Sequence, residues 1–263
     1  MHDYATPGGR SVKNLDDLWP PFAAPPSRRR ATPRSQRGRR EAALSRDEIV
    51  RAAIALADAE GAEAINMRRI AKAVDAGTMS LYWHIISKEH LLDLMLDAIE
   101  AEDETAEPSG SWQKDLAQVA RRERASLLRH RWRLEVMADR PPQGPNGLLH
   151  IERSLACLDD LGVDTRMAVQ ILTTVNTYVT GSVLNETREI RAEEEQAAAG
   201  LSKEKMEAGM AEWRARLEDS GLFPRLVRVF VEGIDPGAAE SRDERFEFGL
   251  SCLLDGITSR IAS

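Results

Sequence analysis

The chain has 263 residues, a formal net charge of −7, 42% hydrophobic residues and two cysteines. That length suggests about two domains, and two cysteines with no histidine or cysteine nearby in sequence form no metal framework, so Cys157 and Cys252 are expected as buried reduced thiols. No apolar run approaches the ~20 residues needed to cross a bilayer, and Met1-His2-Asp3-Tyr4 lacks the regions of a signal peptide, so a cytoplasmic protein without membrane contact is expected.

Residues 1–44 read as a disordered, arginine-rich arm. Eight arginines lie between residues 27 and 46 (Arg28, Arg29, Arg30, Arg34, Arg37, Arg39, Arg40 and Arg46) against the single acid Glu41, a local charge of +7 within a chain of −7. Such polarisation suits a polyanion, and an arm like this can enter a minor groove, with Arg37, Arg39 and Arg40 nearest the first helix. A solvated tail without function is the alternative. The segment Leu18-Trp19-Pro20-Pro21-Phe22 forms a small apolar patch to which the sequence attaches no role.

Helical grammar begins at Ser45, which with Glu48 makes a capping box; Ile49, Ala53, Leu56 and Ala57 then recur at helical spacing until Gly61. Asn66 caps a shorter helix through Ala73, with Ile70 and Ala71 inward and Arg68, Arg69 and Lys72 solvated. Asp75 and Gly77 tolerate positive φ and predict a sharp turn into a helix starting near Thr78. Ser87 caps a fourth helix that carries Leu91, Leu92, Met95, Leu96 and Ile99. A short helix with a polar leading edge, Thr78-Met79-Ser80, following a tight turn, reads as the second helix of a helix-turn-helix.

On Met67-Arg68-Arg69-Ile70-Ala71, on Leu81-Tyr82-Trp83-His84 and on Lys88 at its fixed distance beyond them, residues 45 to about 100 resemble the TetR (tetracycline-repressor) family. The resemblance implies an all-α chain: a helix-turn-helix DNA-binding domain over residues 45–92 and a helical regulatory and dimerisation domain over residues 93–263. The family's turn usually carries Gly then Val, where this chain has Asp75 and Ala76. By the same resemblance, contacts to double-stranded DNA fall to Arg68, Thr78, Met79, Ser80, Tyr82, Trp83, His84 and Lys88. Arg68 is the expected base reader, because a guanidinium can bond O6 and N7 of guanine together. Thr78 and Ser80, with short side chains, suit base edges or the thymine methyl, Tyr82, His84 and Lys88 suit phosphate oxygens, and Leu81 is expected in the core.

Beyond residue 110 the pattern stays helical. Ser111 opens a helix with Trp112, Leu116, Val119, Ala120 and Leu127, and a further helix carries Trp132 and Val136 before Arg140-Pro141-Pro142. A helix from Asn146 to Leu161 turns Leu155, Leu158 and Leu161 inward and ends at Gly162; the next runs from near Asp164 to about Arg191. Residues 192–202, acidic and small, read as a mobile loop, and helix resumes around Trp213, Leu217 and Phe230. Ser111-Trp112, Leu127-Leu128-Arg129-His130, Gly144-Pro145-Asn146 and Phe246-Glu247-Phe248-Gly249-Leu250 extend the resemblance, more loosely, to the TetR-type regulatory domain.

In the last helix Phe246, Leu250, Leu253 and Ile257 form one stripe and Gly249, Cys252 and Gly256 another of small residues. Glycine within a helix costs about 1 kcal/mol relative to alanine, which suggests close approach of another backbone. With the small-residue segment around Val175, Val179 and Gly181, this predicts a four-helix homodimer interface, ordinary packing within the chain being the alternative. Thr173, Asn176 and Thr177, with His130, Trp132, Arg140, Asn146 and Ser154 on neighbouring helices, nominate a pocket for a small-molecule effector of unknown identity. Arg140 falls at a pocket arginine of the tetracycline repressor, but Ser154 stands where that protein has a ligand-binding glutamine, which argues against tetracycline itself. No nucleophile elbow, metalloprotease motif, P-loop or dinucleotide glycine motif occurs, so neither an enzyme nor a cofactor is expected. His84 and His90 fall on different helices, poor geometry for a metal. The remaining alternative is a DNA-binding protein without an effector.

Overall fold

The structure, a computed structural model, describes residues 44–102, 109–137, 144–200, 203–232, 234 and 238–262. The arm with Arg37, Arg39 and Arg40, and also Arg140, lie outside the described residues. Ser45 starts helix α1 (Arg46–Glu60) as its spacing to Glu48 requires: the Glu48 N–H donates to Ser45 Oγ at 3.1 Å and the Ser45 N–H to the Glu48 carboxylate at 2.8 Å. The bond from the Ser45 backbone, then that from its hydroxyl, hold the Glu48 carboxyl below its ordinary range. Asn66 caps α2 (Met67–Ala73), Gly77 precedes α3 (Thr78–Leu81), and Ser87 caps α4 (Lys88–Glu100) through a bond from the His90 N–H at 3.1 Å.

Ile49, Ala53, Ile70, Leu81, Ile85, Leu91 and Met95, drawn from α1 to α4, are each 0% exposed and form one cluster. That cluster does not end with the helix-turn-helix. It continues through Leu96 and Ile99 to Trp132 and Val136, next to and within α6 (Arg133–Met137), which follows α5 (Trp112–Arg129). A boundary at residues 92/93 therefore runs through the middle of α4.

Three polar ties reinforce this continuity. Asp97, buried in α4, accepts from the Asn146 N–H and Asn146 Nδ2 at 2.8 Å and from the Gly147 N–H at 3.2 Å, satisfying the first turn of α7 (Pro145–Ala156). A Cβ on Gly144 would overlap the Asp97 carboxylate, which accounts for the glycine in Gly144-Pro145-Asn146. Asp58 on α1 accepts from Trp132 Nε1 at 2.8 Å, and its Oδ1 lies 2.8 Å from His130 Nδ1. Arg133, 1% exposed, meets Glu100 at 2.5 Å, Ser126 at 2.7 Å and Glu123 at 3.5 Å. Removing one partner from such a buried charge set costs far more than the set itself contributes.

The remaining helices are α8 (Thr165–Ala198), α9 (Lys203–Ser220), α10 (Pro224–Val231) and α11 (Arg242–Ile261). Among the described residues there are helices and no strand, the all-α fold expected. The chain divides into two compact units, one ending at Leu172 and the other beginning at Thr173. Within the second, Val175 and Val179 of α8 and Phe246 and Leu250 of α11 are each 3% exposed or less. Tyr178 donates its hydroxyl to the Phe246 carbonyl at 2.7 Å, and Arg242 bridges Glu189 at 3.2 Å and Glu193 at 2.6 Å. In the α9–α10 pair, Trp213 meets Phe230 edge-on with ring centroids 5.4 Å apart.

Several elements differ from expectation. Residues 192–198 are not a mobile loop but the end of α8, because Glu and Ala are strong helix formers whatever their charge; the helix stops before Gly200, whose φ is 64°. The helix expected from Asn146 to Leu161 starts at Pro145 and ends at Ala156, and a separate 3₁₀ turn, Asp159–Leu161, follows. Of its three leucines only Leu158 is fully buried. Cys252 is exposed and Cys157 half-buried rather than both buried. Gly77 has φ of −75°, so Asp75 alone carries the left-handed turn. No helix among the described residues is long and apolar enough to cross a membrane.

Candidate nucleic-acid interface

The turn between α2 and α3 fixes the interface. Asp75 has φ of 50°, the left-handed region, and the Ala76 N–H donates back to the Ala71 carbonyl at 2.9 Å while the Asp75 N–H reaches Lys72 at 3.3 Å. That pair of bonds is a Schellman motif, with Asp75 where glycine is usual. Ala76 packs against the core, so the chain enters α3 at a set angle. The helical turn then continues past Leu81 by bonds from the His84 and Ile85 N–H groups to the Leu81 carbonyl, at 2.9 and 2.8 Å. Leu81 and Ile85 face inward, so the other sides of α3 face out.

Beneath the next turn, His90 accepts the Ile86 N–H at Nδ1, 3.2 Å away. Burial, then the charge of Arg46, push the His90 imidazole below its ordinary pKa, which keeps it neutral and able to accept.

Arg68, Thr78 and Tyr82 line one open cleft of about 740 Å³ together with Asn66, Lys72 and Arg69. Arg69 is held by Glu60 of α1. Arg68 is exposed, with no hydrogen bond or ion pair among the described residues, so its guanidinium keeps its full set of donors for another molecule. Met79, Ser80, Tyr82, Trp83 and Lys88 are exposed, and Thr78 and His84 half-buried. Thus Leu81 lies in the core as expected, and Arg68, Thr78, Met79, Ser80, Tyr82, Trp83, His84 and Lys88 sit on or beside the surface of α2, α3 and the start of α4.

The residues nominated for an effector pocket fare differently. His130 and Trp132 are 3% and 2% exposed and turned to Asp58, and the Asn146 amide is taken by Asp97. Ser154 donates to the His150 carbonyl of its own helix, and Thr177 to that of Thr173, while Thr173, Asn176 and Thr177 are exposed. His130, Trp132, Asn146, Ser154 and Thr177 thus each have a partner within their own chain. Sequence reasoning also passed over Asp58, Asp97 and Arg133. Asp97 had a signal, a lone acid in the apolar run Leu94-Met95-Leu96-Asp97-Ala98-Ile99.

The expected dimer stripe splits in the same way. Gly249 is required by Tyr178 of its own chain, whose ring a Cβ would strike, whereas Gly181 and Gly256 face open space and Cys252 is exposed. Glu100, Glu123 and His150 bring ligand atoms within 4.8 Å of one another, but Arg133 bonds both carboxylates and supplies the positive charge a metal ion would bring.

A turn that aims a short exposed helix away from its own core is the geometry of a helix-turn-helix DNA reader. Two families match the chain: "Bacterial regulatory proteins, tetR family" over residues 49–95 and "Tetracyclin repressor-like, C-terminal domain" over residues 104–261. The chain belongs to the TetR family. It is therefore a DNA-binding transcriptional regulator of a family that does not comprise enzymes. The HTH-type transcriptional repressor DrrR1 of Streptomyces coeruleorubidus is 32% identical over 83% of this chain and 79% of its own. The tetracycline repressor protein class E of Escherichia coli is 27% identical over 84% of this chain and 93% of its own. Among solved structures, apo ActR from Streptomyces coelicolor is 29% identical with a TM-score of 0.64, covering 84% of this chain and 98% of its own. The same protein in complex with actinorhodin gives 29% and 0.64, over 84% and 99%.

The left-handed residue gives a direct test of the turn. A β-branched side chain cannot take φ near 50° without strain, so Asp75→Val should lose ~1–2 kcal/mol in urea unfolding, and Asp75→Gly should unfold at or above the wild-type midpoint.

Proposed function

We propose that this TetR-family regulator is a repressor that binds a palindromic operator as a homodimer and is released by a small molecule. The observation that carries the reading is the pairing of an inward-locked Leu81 and Ile85 with an outward Arg68, Thr78 and Tyr82 along one cleft. An α3 of four residues reaches only a few base pairs, so a specific site needs a second copy, and a two-fold dimer places two such helices on symmetric half-sites about one turn of DNA apart, ~34 Å. Gly181, Cys252 and Gly256, not occupied within the chain, with half-buried Leu253 and Ile257 beside them on α11, are the residues we assign to that dimer face. Gly249 stays with Tyr178.

For the effector, the likeness to ActR supports actinorhodin as the first compound to test, since ActR is solved in complex with it. A ligand that binds the non-operator state more tightly by ~1–3 kcal/mol weakens operator affinity 5- to 150-fold. Released DNA should then be seen by fluorescence anisotropy as actinorhodin is titrated into the operator complex. A compound that raises the melting temperature but leaves operator affinity unchanged is not an effector.

The DNA reading is tested by Arg68→Ala on an operator selected from randomised duplexes. Loss of one bidentate guanine contact should cost ~1–3 kcal/mol on the operator and relax preference at one base of each half-site, with binding to random DNA nearly unchanged. An equal loss on both DNAs contradicts the assignment of Arg68 as base reader.

A further inference from the structure

Met79 and Trp83 are 73% and 81% exposed, more than any other large apolar side chain in α1 to α4. They stand four residues apart along the helical turn that begins at α3, so they share one side of it. Leu81 and Ile85, about 200° around the turn from them, are 0% exposed and hold that side outward. An apolar ridge kept in water by the packing behind it adds nothing to the core of its own chain and is open to contact with another molecule.

The chemistry of the neighbouring residues narrows that contact. Thr78, Met79 and Ser80 include no guanidinium, amide or carboxylate, so α3 has no side chain that can form a bidentate bond to a purine; the hydroxyls of Thr78 and Ser80 can make only single bonds to base edges. The guanidinium that can do so, on Arg68, stands on α2 in the cleft lined by Thr78 and Tyr82. Every polar group on a major-groove base edge would be left unpaired against a thioether. The one apolar group there is the C5 methyl of thymine.

We infer that Met79 reads a thymine in each half-site by packing its thioether on the C5 methyl, with Trp83 one turn on keeping water from the contact. This rests on the reading of α3 as the recognition helix and adds to it the base that the helix selects. The flexible, polarizable methionine side chain can follow the methyl without exact placement of the backbone. The preference is for the methyl itself, so it should survive any change that keeps the methyl and vanish with any that removes it.

The test uses the full-length protein and an operator selected from randomised duplexes, in which each thymine is replaced in turn, symmetrically in both half-sites, by deoxyuridine. Deoxyuridine keeps every hydrogen-bonding group of thymine and lacks the methyl. One thymine should respond, with affinity falling about four-fold for each half-site, the worth of one buried methyl. Met79→Ala should bind the thymine and uracil operators alike at that position, and Met79→Leu should keep the discrimination. Placing 5-methylcytosine there should bind better than cytosine for wild-type protein and equally for Met79→Ala. A wild-type protein indifferent to uracil at every position, or a Met79→Ala variant as sensitive as wild type, overturns the methyl contact while the operator preference stands. If no sequence is preferred over random DNA, the recognition-helix reading falls with it.

Discussion

Helix α4 uses both of its halves to hold other elements. Its first half, through Leu91 and Met95, closes the core beneath α3; its second, through Asp97 and Glu100, caps α7 and pairs Arg133. Because the carboxylate of Asp97 is buried, its attachment to the start of α7 is not optional: unpaired, it would carry the full desolvation cost of a buried charge. The recognition helix therefore rests on a core that extends into the helices expected to respond to an effector. Asp58 closes the same connection from α1.

The interface itself combines rigidity below with availability above. A Schellman turn at Asp75, the buried Leu81 and Ile85 and a neutral His90 fix where α3 points. Glu60 takes Arg69, so of two adjacent arginines one is committed to the fold and the other keeps its donors. The side chains proposed as polar and apolar readers are divided as well: Arg68, Thr78 and Tyr82 along the cleft, Met79 and Trp83 on the exposed ridge. If the proposed assignment holds, a surface so arranged distinguishes base pairs by two kinds of contact.

The DNA-reading half was legible in the sequence because its signals are local. Ser45 with Glu48, Asn66 and Ser87 are caps that act within a few residues, and the spacing from Asp75 to Leu81 encodes a turn and an inward side chain. The regulatory half was legible only as helix. A hydroxyl or amide in an apolar helix reads the same whether it faces a ligand or a partner far along the chain. His130 and Trp132 meet Asp58 some 70 residues away, at separations of 72 and 74, and nothing local to them announces it. Gly249 shows the same limit: a glycine marks close approach, but whether of Tyr178 or of a second subunit is decided only by the fold. Residues 192–198 differ from expectation for another reason: the helix propensity of Glu and Ala outweighs the repulsion among their charges.

The central claim is that α1 to α4 and the helices from α5 to α7 fold as one cooperative unit through α4. Native-state hydrogen exchange across a urea series measures this directly, because amides that open together share one free energy and one denaturant slope. The account predicts that buried amides of α1 and α4, of α6 and of the first turns of α7 merge into a single opening event. If amides of α1 to α3 instead exchange through a separate, lower-energy opening while α5 to α7 stay protected, the helix-turn-helix is an independent module and α4 is not the element that joins it to the rest.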